Sequence, residues 1–368
     1  MTSSGPSSFQ RKIKPKLPEI PGVSPTIYTN HLLASSGVPD LDVLLGGGLA
    51  IGTVLVLEED LSGNYSKLLL KYFLAEGLVH NHSLLVTNSG VDGKPIVQNL
   101  PSFDLKSSVE DESASTTEDD KMKIAWRYQN QNSTKNFNSS VSNGHTFNLL
   151  KTVPNEVIEK CDIKVCDLED LLDTEADERV WKNTSYCKLI QDIHEKVKSG
   201  GFLIDPAVKA EYKNILRIGG QSLGSLLWGD LQYSSRNMCT FLLSLRAIMR
   251  SCFGVAVITI PSNVLNVSDT REKVLACSDY VVQLESFEGE GVVNQVYKDY
   301  HGLLYINKIP CLGALAPPNH LIQDPSQLVF KSKRTKFVIE KFHLPPDLSE
   351  NVARDQKDKS IKSKDLDF

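Results

Sequence analysis

Two apolar runs constrain this chain more than any other feature: Thr53-Val54-Leu55-Val56-Leu57 and Gly254-Val255-Ala256-Val257-Ile258-Thr259-Ile260. Neither alternates polar with apolar residues, so each reads as a strand buried on both faces. Such strands occupy the middle of a parallel sheet covered by helices on both sides, which makes the fold class α/β. After the first run, Leu68 to Gly77 (LLLKYFLAEG) carries a helical pattern, and a helix is predicted from about Ser66 to Leu78. Ser83 to Thr87 (SLLVT) follows as a second buried strand. Strand, helix and strand make a βαβ unit whose crossover is right-handed.

Further along, Tyr186 to Val197 places Leu189, Ile190, Ile193 and Val197 on one helical face. Asn214 to Ile218 (NILRI) reads as a strand running into Gly219-Gly220-Gln221-Ser222-Leu223. Phe241, Leu242, Leu245, Ile248, Met249 and Cys252 form the apolar stripe of another helix. Asp279 to Leu284 and Leu303 to Ile309 are late strands, and Leu328 to Phe342 is a hairpin with a basic turn. Residues 1–26 are Ser/Pro-rich and basic and read as a disordered arm. A single domain is expected over 27–348. It is interrupted by an acidic insert at about 104–120 and a polar one at about 129–146, with a charged tail at 349–368. Between the inserts lies the apolar island Met122 to Tyr128 (MKIAWRY), and order is expected to resume by Thr184.

Composition excludes several classes. A net charge of −5 leaves no global basic footprint, so any nucleic-acid contact must come from a local patch. No apolar run is long enough to span a bilayer, and the first residues have no apolar signal core. Pro15, Pro18 and Pro21 spoil a transit helix. Seven scattered cysteines fit a reducing compartment, so a cytoplasmic and nuclear location is expected. Cys161 and Cys166 are a lone pair without suitable histidines, and no metal site is expected.

The segment Leu57 to Leu68 (LEEDLSGNYSKL) stands where a nucleotide hydrolase carries its phosphate-binding loop. A working loop, G-x-x-x-x-G-K-[ST], uses glycines to let backbone N–H groups approach the phosphates. Its lysine reaches the β and γ oxygens, and its hydroxyl holds magnesium. Counted back from the helix, those positions hold Asp60, Tyr65, Ser66 and Lys67, with Ser62 and Gly63 between them. Every signature position fails. Sliding the register by one puts Lys67 at the lysine position but leaves Leu61, Ser66 and Leu68 at the others. Glu58, Glu59 and Asp60 would crowd a phosphate with like charge, costing about 1 kcal/mol or more per close pair. The strand NILRI ends in GGQSLGS, without the carboxylate a magnesium site needs. The loop therefore reads as a surface turn that closes a structural unit. Gly220-Gln221-Ser222-Leu223-Gly224 matches the hydrolase pattern G-x-S-x-G, but no oxyanion segment accompanies it, and a glycine-rich turn is the simpler reading.

The opening SGVPDLDVLLGGGLAIGTVLVLEED resembles that of RecA/KaiC-type ATPase domains. Combined with MKIAWRY, ILRIGGQSLGSLLWG, YHGLLYINKIP and KSKRTKFVIEKFHLPPDL, over about residues 27–348, it resembles the fourth-subunit family of the Elongator complex. The resemblance implies a RecA-like domain, with a central, mostly parallel twisted sheet flanked by helices and a degenerate P-loop. It implies no catalysis by this chain and no cofactor bound by it alone, with ATP possible at ring interfaces. The implied partners are the fifth and sixth Elongator subunits, in a ring of two copies each. The ring would also engage tRNA and the catalytic Elongator subcomplex that modifies wobble uridine. In such a ring Arg236, Arg246 and Arg250 are candidates to reach a neighbour's nucleotide. Arg271, Lys273, Lys331, Lys333, Arg334 and Lys336 are candidates to contact tRNA phosphates. The rival readings are an autonomous RecA-like ATPase and an assembly scaffold that does not touch RNA.

Overall fold

Nine strands share one mixed sheet, and the two wholly apolar runs lie side by side in its middle. The structure, a computed structural model, describes residues 20–26, 29–88, 96–103, 144–168, 171, 184–204, 214–228, 234–266, 269–288, 297, 299–313 and 328–342. The first elements are β1 (Val23–Pro25), β2 (Leu32–Ala34), α1 (Pro39–Leu44), β3 (Leu49–Ala50), β4 (Val54–Glu58), α2 (Asn64–Val79) and β5 (Ser83–Asn88). Next come β6 (Pro101–Phe103), β7 (Phe147–Thr152), α3 (Asn155–Lys160), β8 (Ile163–Asp167), α4 (Thr184–Ser199) and β9 (Leu216–Gly220). The last are α5 (Ser234–Arg250), β10 (Gly254–Ile260), α6 (Ser262–Leu265), α7 (Thr270–Cys277), β11 (Tyr280–Ser286), β12 (Gly302–Lys308), β13 (Leu328–Ser332) and β14 (Phe337–Lys341).

The sheet order is β14-β13-β12-β11-β4-β10-β9-β5-β8. From β11 to β8 all neighbours are parallel; β12, β13 and β14 add on antiparallel. The molecule is thus α/β with a large mixed sheet flanked by helices, an architecture compatible with a RecA-like domain. Every residue of β4 and β10 is buried, as their unbroken apolar runs require. Alternate side chains go to opposite layers. Leu55, Leu57, Val255 and Val257 pack with α2, while Val54, Val56, Ala256 and Ile258 pack with α4 and α5. Each fully buried aliphatic side chain contributes about 1.5–3 kcal/mol, so two such layers hold the sheet from both sides.

The expected helices and late strands are present, with boundaries moved by a residue or a few. Ahead of Thr184 the described residues also include β7, α3 and β8, elements that the sequence reading did not assign. Strand β8 extends the parallel sheet beside β5, yet most of its side chains are only half-buried. An edge strand of that kind has a weak apolar signature, which hid it in the sequence. Strand β1 likewise lies within the stretch read as an arm. The MKIAWRY island falls outside the described residues.

A polar cluster interrupts the apolar layer beneath α2. Arg217, on β9, is fully buried; its Nε donates to His82 Nδ1 (3.0 Å) and its Nη1 to the carbonyls of Ser35 (2.9 Å) and Phe73 (3.0 Å). Burial, reinforced by the Arg217 charge, pushes His82 down to about 3. Burial alone would raise Glu76. Hydrogen bonds from His145 and His80, with the Arg217 charge, hold it instead at about 2. Asp42 accepts the Ser36 N–H (2.7 Å) and the Ser35 hydroxyl, and burial drives its carboxyl up to about 6. These bonds shape the turn that enters α1. Within that turn Gly37 has φ +84, and a Cβ there would lie 2.3 Å from the Tyr72 carbonyl oxygen.

Two outcomes follow from this corner. Gly37→Ala meets both a left-handed backbone and fixed helix backbone, and is expected to cost about 2 kcal/mol or more in denaturant titrations. Asp42 holds its proton more tightly folded than unfolded. Its contribution is therefore complete below its ordinary value of 3.8 and is lost as pH rises through about 6. In Asp42→Asn that slope disappears. The stability difference between variant and wild type should change by about 2 kcal/mol between pH 4 and 7.

Candidate functional site

At the carboxyl edge of the parallel strands, β4 ends in three consecutive acids, and the chain turns through Leu61, Ser62 and Gly63 into α2. Gly63 takes φ +69, which lets the chain reverse over the helix N-terminus. The Asp60 carboxylate lies directly on that N-terminus. It accepts the backbone N–H groups of Asn64 (3.2 Å), Tyr65 (3.1 Å) and Ser66 (3.1 Å), and the Ser62 hydroxyl (2.8 Å). Those N–H groups are the first-turn donors that an isolated helix leaves without partners, and the helix dipole favours an anion there. A carboxylate of the chain itself thus holds the position a phosphate takes at a nucleotide loop.

The neighbouring acids are each accounted for. Glu59 accepts the hydroxyls of Ser222 (2.8 Å) and Thr259, and burial raises its pKa. Glu58 receives Arg271 Nε (3.1 Å) and Asn307 Nδ2 (3.3 Å), and Arg271 also donates to Gln283 (2.6 Å). Tyr65 donates its hydroxyl to Glu288 (2.7 Å); burial and that carboxylate push the phenol up. Lys67 is half-buried, and burial lowers its pKa. Between these groups opens a cleft of about 210 Å³ whose lining includes Glu58, Glu59, Arg271, Gln283 and Glu285. The expectation of a surface turn is corrected for its first half: Glu58, Glu59 and Asp60 are buried, while Leu61, Ser62 and Asn64 stand out in solvent. The acids are tolerated because each has its own donors: Asp60 the start of α2, Glu59 Ser222 after β9 and Thr259 on β10, and Glu58 Arg271 on α7 and Asn307 on β12.

Ser222, the centre of the G-x-S-x-G match, has φ +47 and gives its hydroxyl to Glu59. Its N–H donates to Thr259 (2.8 Å), and Trp228 Nε1 closes the turn on its carbonyl (3.0 Å). Trp228 is buried against Tyr186, with ring centroids 5.1 Å apart. The segment is a packed turn around a carboxylate.

Of the candidate arginines, Arg246 (2.9 Å) and Arg250 (2.6 Å) both pair with buried Asp279, which also accepts the Val54 N–H (3.0 Å). That clamp joins α5 to the amino edge of β4 and β11, the edge opposite the cleft. Arg236 is exposed on α5. Arg271 forms the cleft wall as described, and Lys273 is exposed on α7. On the β13–β14 hairpin, Lys331 pairs with Glu340 (2.6 Å) and lies 4.2 Å from the centroid of the Tyr300 ring. Lys333, Arg334 and Lys336 are exposed on its turn. The sequence reading missed Asp279, Glu288 and the role of Asp60; an acid four to six residues ahead of first-turn N–H groups was the available signal. It also missed a grouping of Glu76, His80 and His145, which no spacing announces because His145 is far along the chain.

Removing the Asp60 carboxylate leaves three helix N–H groups without their acceptor. Asp60→Ala should cost about 1–3 kcal/mol of unfolding free energy, and Asp60→Asn less, because one amide oxygen keeps the bonds to Tyr65 and Ser66. Equal losses in the two variants would show that the helix N-terminus is satisfied in another way.

Comparison with known proteins bears on what this loop belongs to. A family model described as PAXNEB protein matches residues 16–368. The chain is 40% identical over 364 residues to "Elongator complex protein 4" of Danio rerio, covering 95% of this chain and 90% of that one. It is 41% identical over 384 residues to the Homo sapiens protein of the same name, covering 97% and 89%. The Schizosaccharomyces pombe protein is similar at 26% over 391 residues, covering 98% and 100%. The match runs through the buried strands, the acidic loop and the basic hairpin alike, and on it the chain belongs to the PAXNEB family, that of Elongator complex protein 4.

Proposed function

We propose that this chain is a non-catalytic, RecA-like subunit of the Elongator complex, serving modification of the tRNA wobble uridine. Its family supports the membership in Elongator. One observation carries the non-catalytic part of the reading: the Asp60 carboxylate already takes up the α2 N–H groups that a β-phosphate would need. A nucleotide would have to displace a bonded anion of the chain itself and enter a cleft bordered by Glu58, Glu59 and Glu285. The degenerate P-loop therefore works as a self-capped turn. Lys67 alone makes no phosphate cradle, since a single cation without converging N–H groups gives a weak, unspecific contact.

The subunit acts within a hetero-oligomeric ring with the fifth and sixth Elongator subunits, which docks on the catalytic subcomplex. Any ATP turnover belongs to interfaces of that ring. Among the described residues no helix is long and apolar enough to cross a membrane, and the reading requires none. The β13–β14 turn, with Lys333, Arg334 and Lys336 exposed, is the local basic patch the chain offers to tRNA phosphates. Lys331 supports it less directly, its ammonium being shared between Glu340 and Tyr300. Arg271 is a weaker tRNA candidate than the hairpin, because Glu58 neutralises it. A scaffold that does not touch RNA is the competing reading.

Two experiments test these statements. Replacing Lys331, Lys333, Arg334 and Lys336 by Ala should weaken tRNA binding by the purified complex across different tRNAs. The salt slope of log K should fall by about 3. An unchanged slope in an intact complex favours the scaffold. Lys67→Ala should leave ATP turnover of the complex nearly unchanged. Submillimolar ATP binding to this chain that Lys67→Ala abolishes would overturn the self-capped loop.

A further inference from the structure

We propose that Glu76, His80 and His145 form a divalent transition-metal site, with zinc as its preferred ion. Glu76, in the last turn of α2, and His80, the residue that caps its C-terminus, stand at the i, i+4 spacing that puts two side chains on one face. His145 comes from the strand-leading segment before β7, and its Nδ1 lies 3.0 Å from Glu76 Oε1. His80 Nε2 approaches the same oxygen at 3.1 Å, and the three donor atoms all lie within 4.8 Å of one another. Bonds of about 2.0–2.1 Å in a tetrahedron put neighbouring donors about 3.3 Å apart. The two His–Glu76 distances open by a few tenths of an ångström to accept an ion, and the two histidines, within 4.8 Å of each other, turn to that spacing.

The surroundings are arranged as a metal site needs. Glu76 is fully buried, and its second oxygen is fixed by the His145 N–H (3.2 Å). The Phe103 ring meets the His145 ring edge-on, with centroids 4.6 Å apart, and holds its orientation. Both histidine side chains keep some solvent contact, 17% for His80 and 28% for His145, which leaves an entry path and a place for a water as fourth ligand. Two imidazoles and a carboxylate, without a thiolate, suit zinc rather than copper(I), calcium or magnesium. Bound there, the ion ties the segment leading into β7 to the C-terminal end of α2. It joins chain regions about seventy residues apart, on the face of α2 that also covers Arg217.

The test compares the full chain, in the assembly with which it purifies, with His80→Gln and His145→Gln forms of that assembly. The comparison cancels zinc held by other chains. After chelator treatment, wild type should take up one more zinc per copy of this chain than either variant. X-ray absorption at the zinc edge should show that ion with nitrogen and oxygen neighbours only. That readout separates it from capture by any of the seven cysteines. Each substitution should weaken zinc binding by about 100-fold or more, at or beyond the top of the range produced by changes outside the ligand shell. Zinc should raise the melting temperature of wild type and of neither variant. His145→Gln decides the question if His80→Gln disturbs α2, and Glu76 is left in place because its loss would strand Arg217. Equal zinc in wild type and variants, or sulfur neighbours around the extra ion, overturns the proposal.

Discussion

A sheet buried on both faces at its centre dictates where everything else in this protein goes. Side chains of β4 and β10 enter helix-covered apolar layers on either side, so polar chemistry is driven to the two ends of the strands. At the amino edge, Asp279 gathers the Val54 N–H and two arginines of α5, which fixes the helix layer to the sheet. At the carboxyl edge, Glu58, Glu59 and Asp60 gather donors from the turn after β9, from β10, from α7 and from the start of α2. The same two-sided burial that builds the sheet also creates, at the head of α2, a site with affinity for an anion.

How that site is filled differs from a phosphate-binding loop. A phosphate-binding loop leaves its N–H groups open and supplies a lysine. Here the chain folds its own carboxylate onto them, and Gly63 supplies the left-handed turn that makes this possible. Burying three adjacent acids is costly unless each has its own partners. Asp60 has the helix N-terminus, Glu59 two hydroxyls and Glu58 a guanidinium, so the costs are met separately. The consequence is rigidity: the loop is held from both sides by groups that a bound nucleotide would have to break apart.

The layer beneath α2 departs from the apolar rule at one place, around Arg217. A buried guanidinium with its carboxylate neighbours is weak evidence for stability, but removing one partner strands the others. Its Nη2 has no hydrogen-bond partner among the described residues, so it is an incompletely satisfied group kept in the core. Phe73, whose ring lies 4.8 Å from the guanidinium carbon, supplies part of the compensation. The contacts from Arg217 to the Ser35 and Phe73 carbonyls and to His82 bind the turn before α1, the middle of α2 and the start of β5 into one unit.

Much of this was legible in the residues themselves. Unbroken apolar runs at 53–57 and 254–260 required central strands, the 3.6-residue stripe from Phe241 to Met249 required a helix, and the absence of glycine and lysine at Tyr65 and Ser66 removed the phosphate signature. Such features are periodic or local, and a short window of sequence contains the whole of the physical requirement. The edge strand β8 was hidden because a half-exposed strand needs few apolar residues. What only the tertiary structure decided is which distant groups meet. Nothing local tells that Arg271 faces Glu58, that Arg246 and Arg250 converge on Asp279, or that His145 reaches Glu76. The fate of Glu58, Glu59 and Asp279 is set by partners tens to hundreds of residues away, brought within 3 Å or so by strand order, and strand order is a property of the whole sheet.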